Sequence, residues 1–178
     1  FHLFFEKLSS LVEFAYNHTY QKQKIYNSAY YDATLQIPNR HGMKYFIQQY
    51  EKDLTNKQLS VVLLSPSEYI KIVELYGRDA GELLLKEIIQ RISTCVDYDV
   101  VLIGRYSSST IYVIVSGEID DSILAQHLER KMSDPMEIHN RTIYMTVKSG
   151  LARQRHGDCI EETSRQAEIA LSQIRKKN

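Results

Sequence analysis

The first thirty residues contain neither proline nor glycine. Apolar or small residues recur at Phe4, Leu8, Leu11 and Ala15, and, past the polar His18 and Lys22, at Ile25 and Ala29. Steps that alternate four and three form the heptad seam of a helix that pairs with another helix, weakened where His18 and Lys22 fall on it. Two readings share this pattern: an amphipathic helix packed on its own domain, and a connector helix feeding a dimer. At Asp32 the periodicity gives way to Asp-Ala-Thr-Leu-Gln-Ile-Pro-Asn-Arg, a turn-rich stretch punctuated by Pro38 and Asn39.

A helix follows, with Met43, Phe46, Ile47 and Tyr50 on one face. Leu59-Ser-Val-Val-Leu-Leu64 is a continuous apolar run of strand length, expected to be buried on both faces. Ser65-Pro66-Ser67-Glu68 has the order of a helix start, with Ser65 as N-cap, Pro66 in the first turn and Glu68 as capping-box partner. That helix should stop near Gly77, and a second, from about Asp79 to Thr94, places Leu83, Leu84, Ile88, Ile89 and Ile92 on a wide apolar face. Val100–Ile103 and Ile111–Val115 read as strands of a hairpin with Arg105-Tyr-Ser-Ser-Ser-Thr110 near its tip. A helix around Asp120–Lys131, a strand around Thr142–Lys148 and a helix around Ile160–Arg175 complete a single α/β sandwich.

Composition narrows the function classes. With 22 Lys+Arg against 22 Asp+Glu the chain lacks the basic excess of a nucleic-acid binder. Cys95 and Cys159 are far apart, and the six His are scattered without helical ligand spacing, so neither a disulfide framework nor a metal site is expected. No apolar run is long enough to span a membrane and no signal-peptide order is present. The chain opens on Phe1 rather than Met, which suggests a piece of something longer. Glycine is sparse, 7 in 178, or about 4% against a usual ~7%.

Five segments, in order, resemble the GGDEF domain of bacterial diguanylate cyclases over about residues 28–176. Asp32–Arg40 is similar to the family's opening D-x-L-T-G-L-x-N-R, with Gln36 in place of its glycine. Tyr69–Glu82 is similar to F-K-x-I-N-D-x-x-G-H-x-A-G-D, and Arg105-Tyr106 stands where R-Y precedes the signature. Lys148-Ser-Gly-Leu-Ala152 and Ala167-Glu-Ile-Ala-Leu171 resemble the last strand end and the last helix. The resemblance implies an α/β (α+β), nucleotidyl cyclase-like sandwich with a central five-stranded mixed sheet flanked by helices. Residues 1–30 would be the connector helix and 31–178 the domain.

It also implies a reaction, the condensation of two GTP to cyclic di-GMP, which needs glycines beside the nucleotide and carboxylates to hold two Mg²⁺. The signature aligns here with Ser107, Ser108, Ser109, Thr110 and Ile111, and no carboxylate remains among them. Ser65 aligns with the metal Asp and Ser67 with the second Asp of that stretch. One catalytic electrostatic group is worth roughly 3–4 kcal/mol, so loss of the whole set brings turnover near background. Val73 replaces the guanine-contacting Asn, whereas Glu82 keeps an acid for the guanine edge and Arg175 remains as a nucleotide-binding remnant. The inhibitory R-x-x-D is absent: Asp99 is the nearest acid, Val96 lies three before it, and the spacing from Asp99 to Arg105 is longer than usual.

The expectation is therefore a degenerate, catalytically silent GGDEF module without cofactor or metal. It would form a homodimer through residues 1–30, lie between an upstream sensor and a downstream output such as an EAL phosphodiesterase, and bind GTP weakly or not at all. A GTP-sensing domain without turnover is the alternative. The setting is the bacterial cytoplasm, compatible with inner-membrane anchoring of a longer protein.

Overall fold

The computed structural model describes residues 2–54, 56–94, 98–118 and 120–176, with side chains from Glu6 onward. Cys95, Val96 and the side chain of Phe4 lie outside that set. Helix α1 (His2–Tyr30) leads into α2 (Arg40–Leu54), and strand β1 (Leu59–Pro66) is followed by the helix pair α3 (Tyr69–Tyr76) and α4 (Arg78–Ser93). The hairpin β2 (Asp99–Ser107) and β3 (Thr110–Ser116) precedes α5 (Asp121–Met132), the short strands β4 (Met136–Ile138) and β5 (Arg141–Ile143), β6 (Val147–Arg153) and α6 (Ile160–Lys176).

β1 is apolar on both sides because both sides of the sheet are covered. Val62, Leu64, Ile111 and Val113 face Leu84, Leu85, Ile88 and Ile92 of α4 and Leu124 and Leu128 of α5. The alternate positions Val61, Leu63, Tyr112 and Ile114 pack with Met43 of α2 and with Ala167 and Leu171 of α6. Gly150 permits the α6 contact, since a Cβ there would collide with the Ala167 carbonyl oxygen. The α/β fold class read from the sequence therefore stands.

Three details differ. The central sheet among the described residues has four strands, in the order β2-β3-β1-β6, and every pairing is antiparallel; it is not five-stranded and mixed. The strand expected over Thr142–Lys148 is broken. Its first part pairs with β4 as a separate ribbon, turned by His139 and Asn140 at φ 50° and 61°. Successive left-handed residues are what a tight two-residue hairpin needs. Its second part joins β6, which pairs with β1 as far as Pro66↔Val147.

That pairing also removes Ser65 from the helix start, because Ser65 stays extended opposite Lys148. The N-cap of α3 is Glu68, whose carboxylate accepts from the Thr146 amide (3.0 Å) and not from its own helix.

α1 does not pack on the domain along most of its length. Residues 6–25 are all exposed, including Leu8, Leu11, Val12 and Ile25. Its end packs through a row of rings: Tyr30 lies against Tyr26, His41 and Tyr45, and Tyr31 against Phe46. No described helix is long and apolar enough to cross a membrane.

Candidate functional site

The site is assembled from the opening turn, the hairpin tip and the end of α6. Asn39 caps α2 by accepting from the Gly42 amide (2.8 Å), while its own amide group donates to the Ala29 carbonyl at the end of α1 (3.1 Å). Asp32 folds the turn by accepting from the Thr34 and Leu35 amides with one oxygen, leaving the other for Arg105 (3.0 Å). Gln36 takes a left-handed φ of 57°, the conformation that glycine adopts without cost. Asp32 is thus tied at once to the backbone of the turn and to β2.

Arg105 is the hub. It donates to both oxygens of Glu82 (2.9 and 2.8 Å), to Asp32, and to the carbonyls of Ser107 (3.3 Å) and Ser108 (2.8 Å). The Arg105 and Glu82 side chains are only 12% and 6% exposed, so this is an interior ion pair with hydrogen bonds on several sides. Burial pushes the Asp32 carboxyl up, but the Leu35 amide and the Arg105 guanidinium outweigh it and hold it below the usual aspartate range. Burial likewise opposes the Arg105 charge, and Glu82 and Asp32 reverse that and raise its pKa.

Next to it, Arg40 lies 4.3 Å over the Tyr106 ring and donates to its hydroxyl, which in turn donates to Glu168 of α6 (2.9 Å). Burial pushes the neighbouring Tyr112 phenol up to about 12, so it serves as a neutral hydrogen-bonding group toward Ser164.

Ser107 ends β2, Ser108 and Ser109 make the turn, and Thr110 and Ile111 begin β3. None of these residues has a positive φ, so the turn needs no glycine. Thr110 and Ser65 are 2% and 6% exposed and lie on the α6 side of the sheet, where Arg175 Nη2 donates to Ser65 Oγ (2.6 Å) and Thr110 Oγ1 (3.2 Å). Among the described residues no group of three or more His, Cys, Asp or Glu is arranged to hold a metal. Ser67 is exposed and only its backbone is engaged, donating to the Thr146 carbonyl.

A cavity of about 480 Å³ opens between Tyr69 and Val73 of α3, Arg78 of α4, Asp32 and the Ser107–Ser108 tip. Val73 is half-buried on its wall, and Glu82 does not line it. The structure therefore brings Val73, Ser107 and Ser108 together, keeps Glu82 behind Arg105, and sets Arg175 with Ser65 and Thr110. Asp99 stands exposed at the far end of β2. Sequence reasoning missed Arg78 as a lining residue and the Arg105–Glu82 pair. These partners are 23 positions apart on different elements, and no periodicity links them.

The geometry can be set beside known proteins. The family model described as "Diguanylate cyclase, GGDEF domain" matches residues 29–178. The chain is a member of the GGDEF domain family. Cyclic di-GMP phosphodiesterase NbdA of Pseudomonas aeruginosa is 31% identical over 151 residues, which is 82% of this chain and 19% of NbdA. Cyclic di-GMP phosphodiesterase PdeR of Escherichia coli is 24% identical over 79% of this chain and 22% of its own length. This GGDEF domain therefore spans about a fifth of each of these curated relatives. The coiled coil and GGDEF domain of DgcB from Caulobacter crescentus, solved in complex with c-di-GMP, superposes with a TM-score of 0.75 at 14% identity, covering 97% of this chain and 94% of that one.

Proposed function

We propose that this GGDEF domain is a catalytically silent regulatory and dimerising module of a bacterial cyclic di-GMP signalling protein, acting on an attached output domain such as an EAL phosphodiesterase. The observation that carries the reading is the Arg175 guanidinium on the hydroxyls of Ser65 and Thr110. The family implies Mg²⁺ at these positions, and the residues do not fit it: a hard divalent cation needs anionic oxygens, and here two neutral hydroxyls already face a cation.

Dimerisation is supported by the exposed apolar seam of α1 and by the superposition that extends over the coiled coil of DgcB. Control of a phosphodiesterase is supported by the names and lengths of NbdA and PdeR. Electron paramagnetic resonance of Mn²⁺ tests the core of the reading. With GTP present, adding the protein should leave the free Mn²⁺ signal at its protein-free level, whereas stoichiometric loss of that signal would overturn it.

A second reading, a GTP sensor without turnover, is favoured by one observation, the cavity at the hairpin tip with Arg78 on its wall. Base recognition is not what would hold the nucleotide, since Val73 offers no hydrogen bond and both Glu82 oxygens are taken by Arg105. Calorimetry with millimolar GTP decides it: heat of binding supports the sensor, and its absence removes it.

A further inference from the structure

We propose that a second cavity, on the α2 side of the sheet, binds a single-chain amphipathic carboxylate of the fatty-acid class. Its volume is about 450 Å³, within the range of about 300–1,000 Å³ that small-molecule sites occupy, and it shares no residue with the cavity at the hairpin tip. Val101 and Leu102 of β2, Ile114 of β3 and the rings of Tyr31, Phe46 and Tyr50 line it. Neighbouring strand residues normally point to opposite faces, so Val101 and Leu102 would not share a cavity on a regular strand. They do so here because the register of β2 on β3 shifts between Val100 and Leu102, and Val101 is the extra residue without a partner. The bulge adds apolar surface that α2 leaves uncovered: Val101 and Leu102 stay half-buried, and Tyr50 is 56% exposed. None of these six residues lies in the five segments that resemble the GGDEF family.

Charge selects the head group. The Lys57 amide donates to the Leu54 carbonyl (3.0 Å), closing a turn after α2, and Lys57 lines both this cavity and a more polar one of about 660 Å³ that Arg155 and His156 also line. Among the described residues the side chains of Lys57, Arg155 and His156 form no ion pair. The acids facing the two cavities are Asp53 on the apolar one and Glu51 and Asp158 on the polar one. Glu51 already has a partner, Arg153 pairs with Asp121 (3.2 Å), and Asp158 precedes the amino end of α6, whose free amides offset its charge. Lys57 and Arg155 are then opposed by Asp53 alone. An acyl chain on Val101, Leu102 and the rings therefore brings a carboxylate, rather than a cationic head, to Lys57.

Titration calorimetry of the full chain at low salt with decanoate, kept below the concentration at which it forms micelles, tests this. Decanoate should bind one per chain and about tenfold tighter than octanoate, because each buried methylene is worth roughly fourfold. Decyltrimethylammonium should bind at least tenfold more weakly than decanoate. Lys57→Glu and Tyr50→Asp, both at exposed positions, should each weaken decanoate about tenfold, with melting temperatures confirming that the variants are folded. Lys86→Glu, on α4 across the sheet, should leave it unchanged. Absence of decanoate binding, equal affinity for the cationic amphiphile, or undiminished affinity in Lys57→Glu overturns the inference. Binding that survives Tyr50→Asp but is lost in the Leu8→Glu/Leu11→Glu/Ile25→Glu variant places the chain on the exposed seam of α1 and overturns it as well.

Discussion

Arg105 is the residue on which most of the interior polarity depends. Removing it by Arg105→Ala leaves Glu82, 6% exposed, without its partner and frees the Ser107 and Ser108 carbonyls. Loss of one member of a buried pair costs roughly 3–5 kcal/mol, to be read from urea denaturation as a lowered midpoint. Asp32 makes the same network sensitive to acid. Its folded pKa lies below the ordinary value of 3.8, so its contribution is fully present above that value and is lost as the pH falls through the folded pKa. Melting temperature should fall steeply in that acidic window, and Asp32→Asn should melt lower at neutral pH with a shallower fall. Gln36 tells a different story about the missing glycines. It keeps a left-handed backbone that a glycine would take without strain, so Gln36→Gly should raise stability by up to about 1 kcal/mol, less what is lost with the Gln36 bond to the Ala33 carbonyl. Ser107 and Ser108 have no such conflict, because their backbone is ordinary. Sequence comparison treats all three as lost glycines, and only the dihedral angles separate the strained one from the other two.

Among the elements, the long periodic segments were the legible ones. α4, α5 and α6 lie within a residue or two of their expected ends because apolar spacing and helix stops are local signals. What was not legible depends on partners far along the chain. Ser65 has the local chemistry of an N-cap, yet pairing of β1 with β6 keeps it in the sheet. The segment 142–148 has strand composition throughout, yet the turn at His139–Asn140 assigns its first half to a different ribbon. The close approach of α6 to β6 makes Gly150→Ala destabilising by roughly 1–3 kcal/mol, since backbone and not a flexible side chain stands in the way. Helix α1 does not lie on its own domain, and its seam is exposed at Leu8, Leu11 and Ile25. Light scattering at high concentration should give a dimer for the full chain and a monomer for the Leu8→Glu/Leu11→Glu/Ile25→Glu variant, with the melting temperature of the α/β body preserved. A monomeric parent chain would remove the connector-dimer proposal.

For the molecule as a whole, the proposed reading separates the residues that hold the family's scaffold from those that align with its chemistry. Asp32, Asn39, Arg40 and Arg105 are present and bonded to one another's elements, so the end of α1, the start of α2 and the hairpin tip form one connected unit. Hydrogen bonds of Asn39, Asp32 and Arg105 link the end of α1, the opening turn and the hairpin tip. Ser65 and Thr110, which the proposed reading places at the family's metal and signature carboxylates, accept hydrogen bonds from Arg175. The central claim is that this domain does not make cyclic di-GMP. The direct measurement is chromatographic quantification of cyclic di-GMP after prolonged incubation of the purified chain with GTP, in Mg²⁺ and separately in Mn²⁺. The account predicts product at the level of the protein-free control at every protein concentration. Cyclic di-GMP that accumulates with time and in proportion to protein would contradict it.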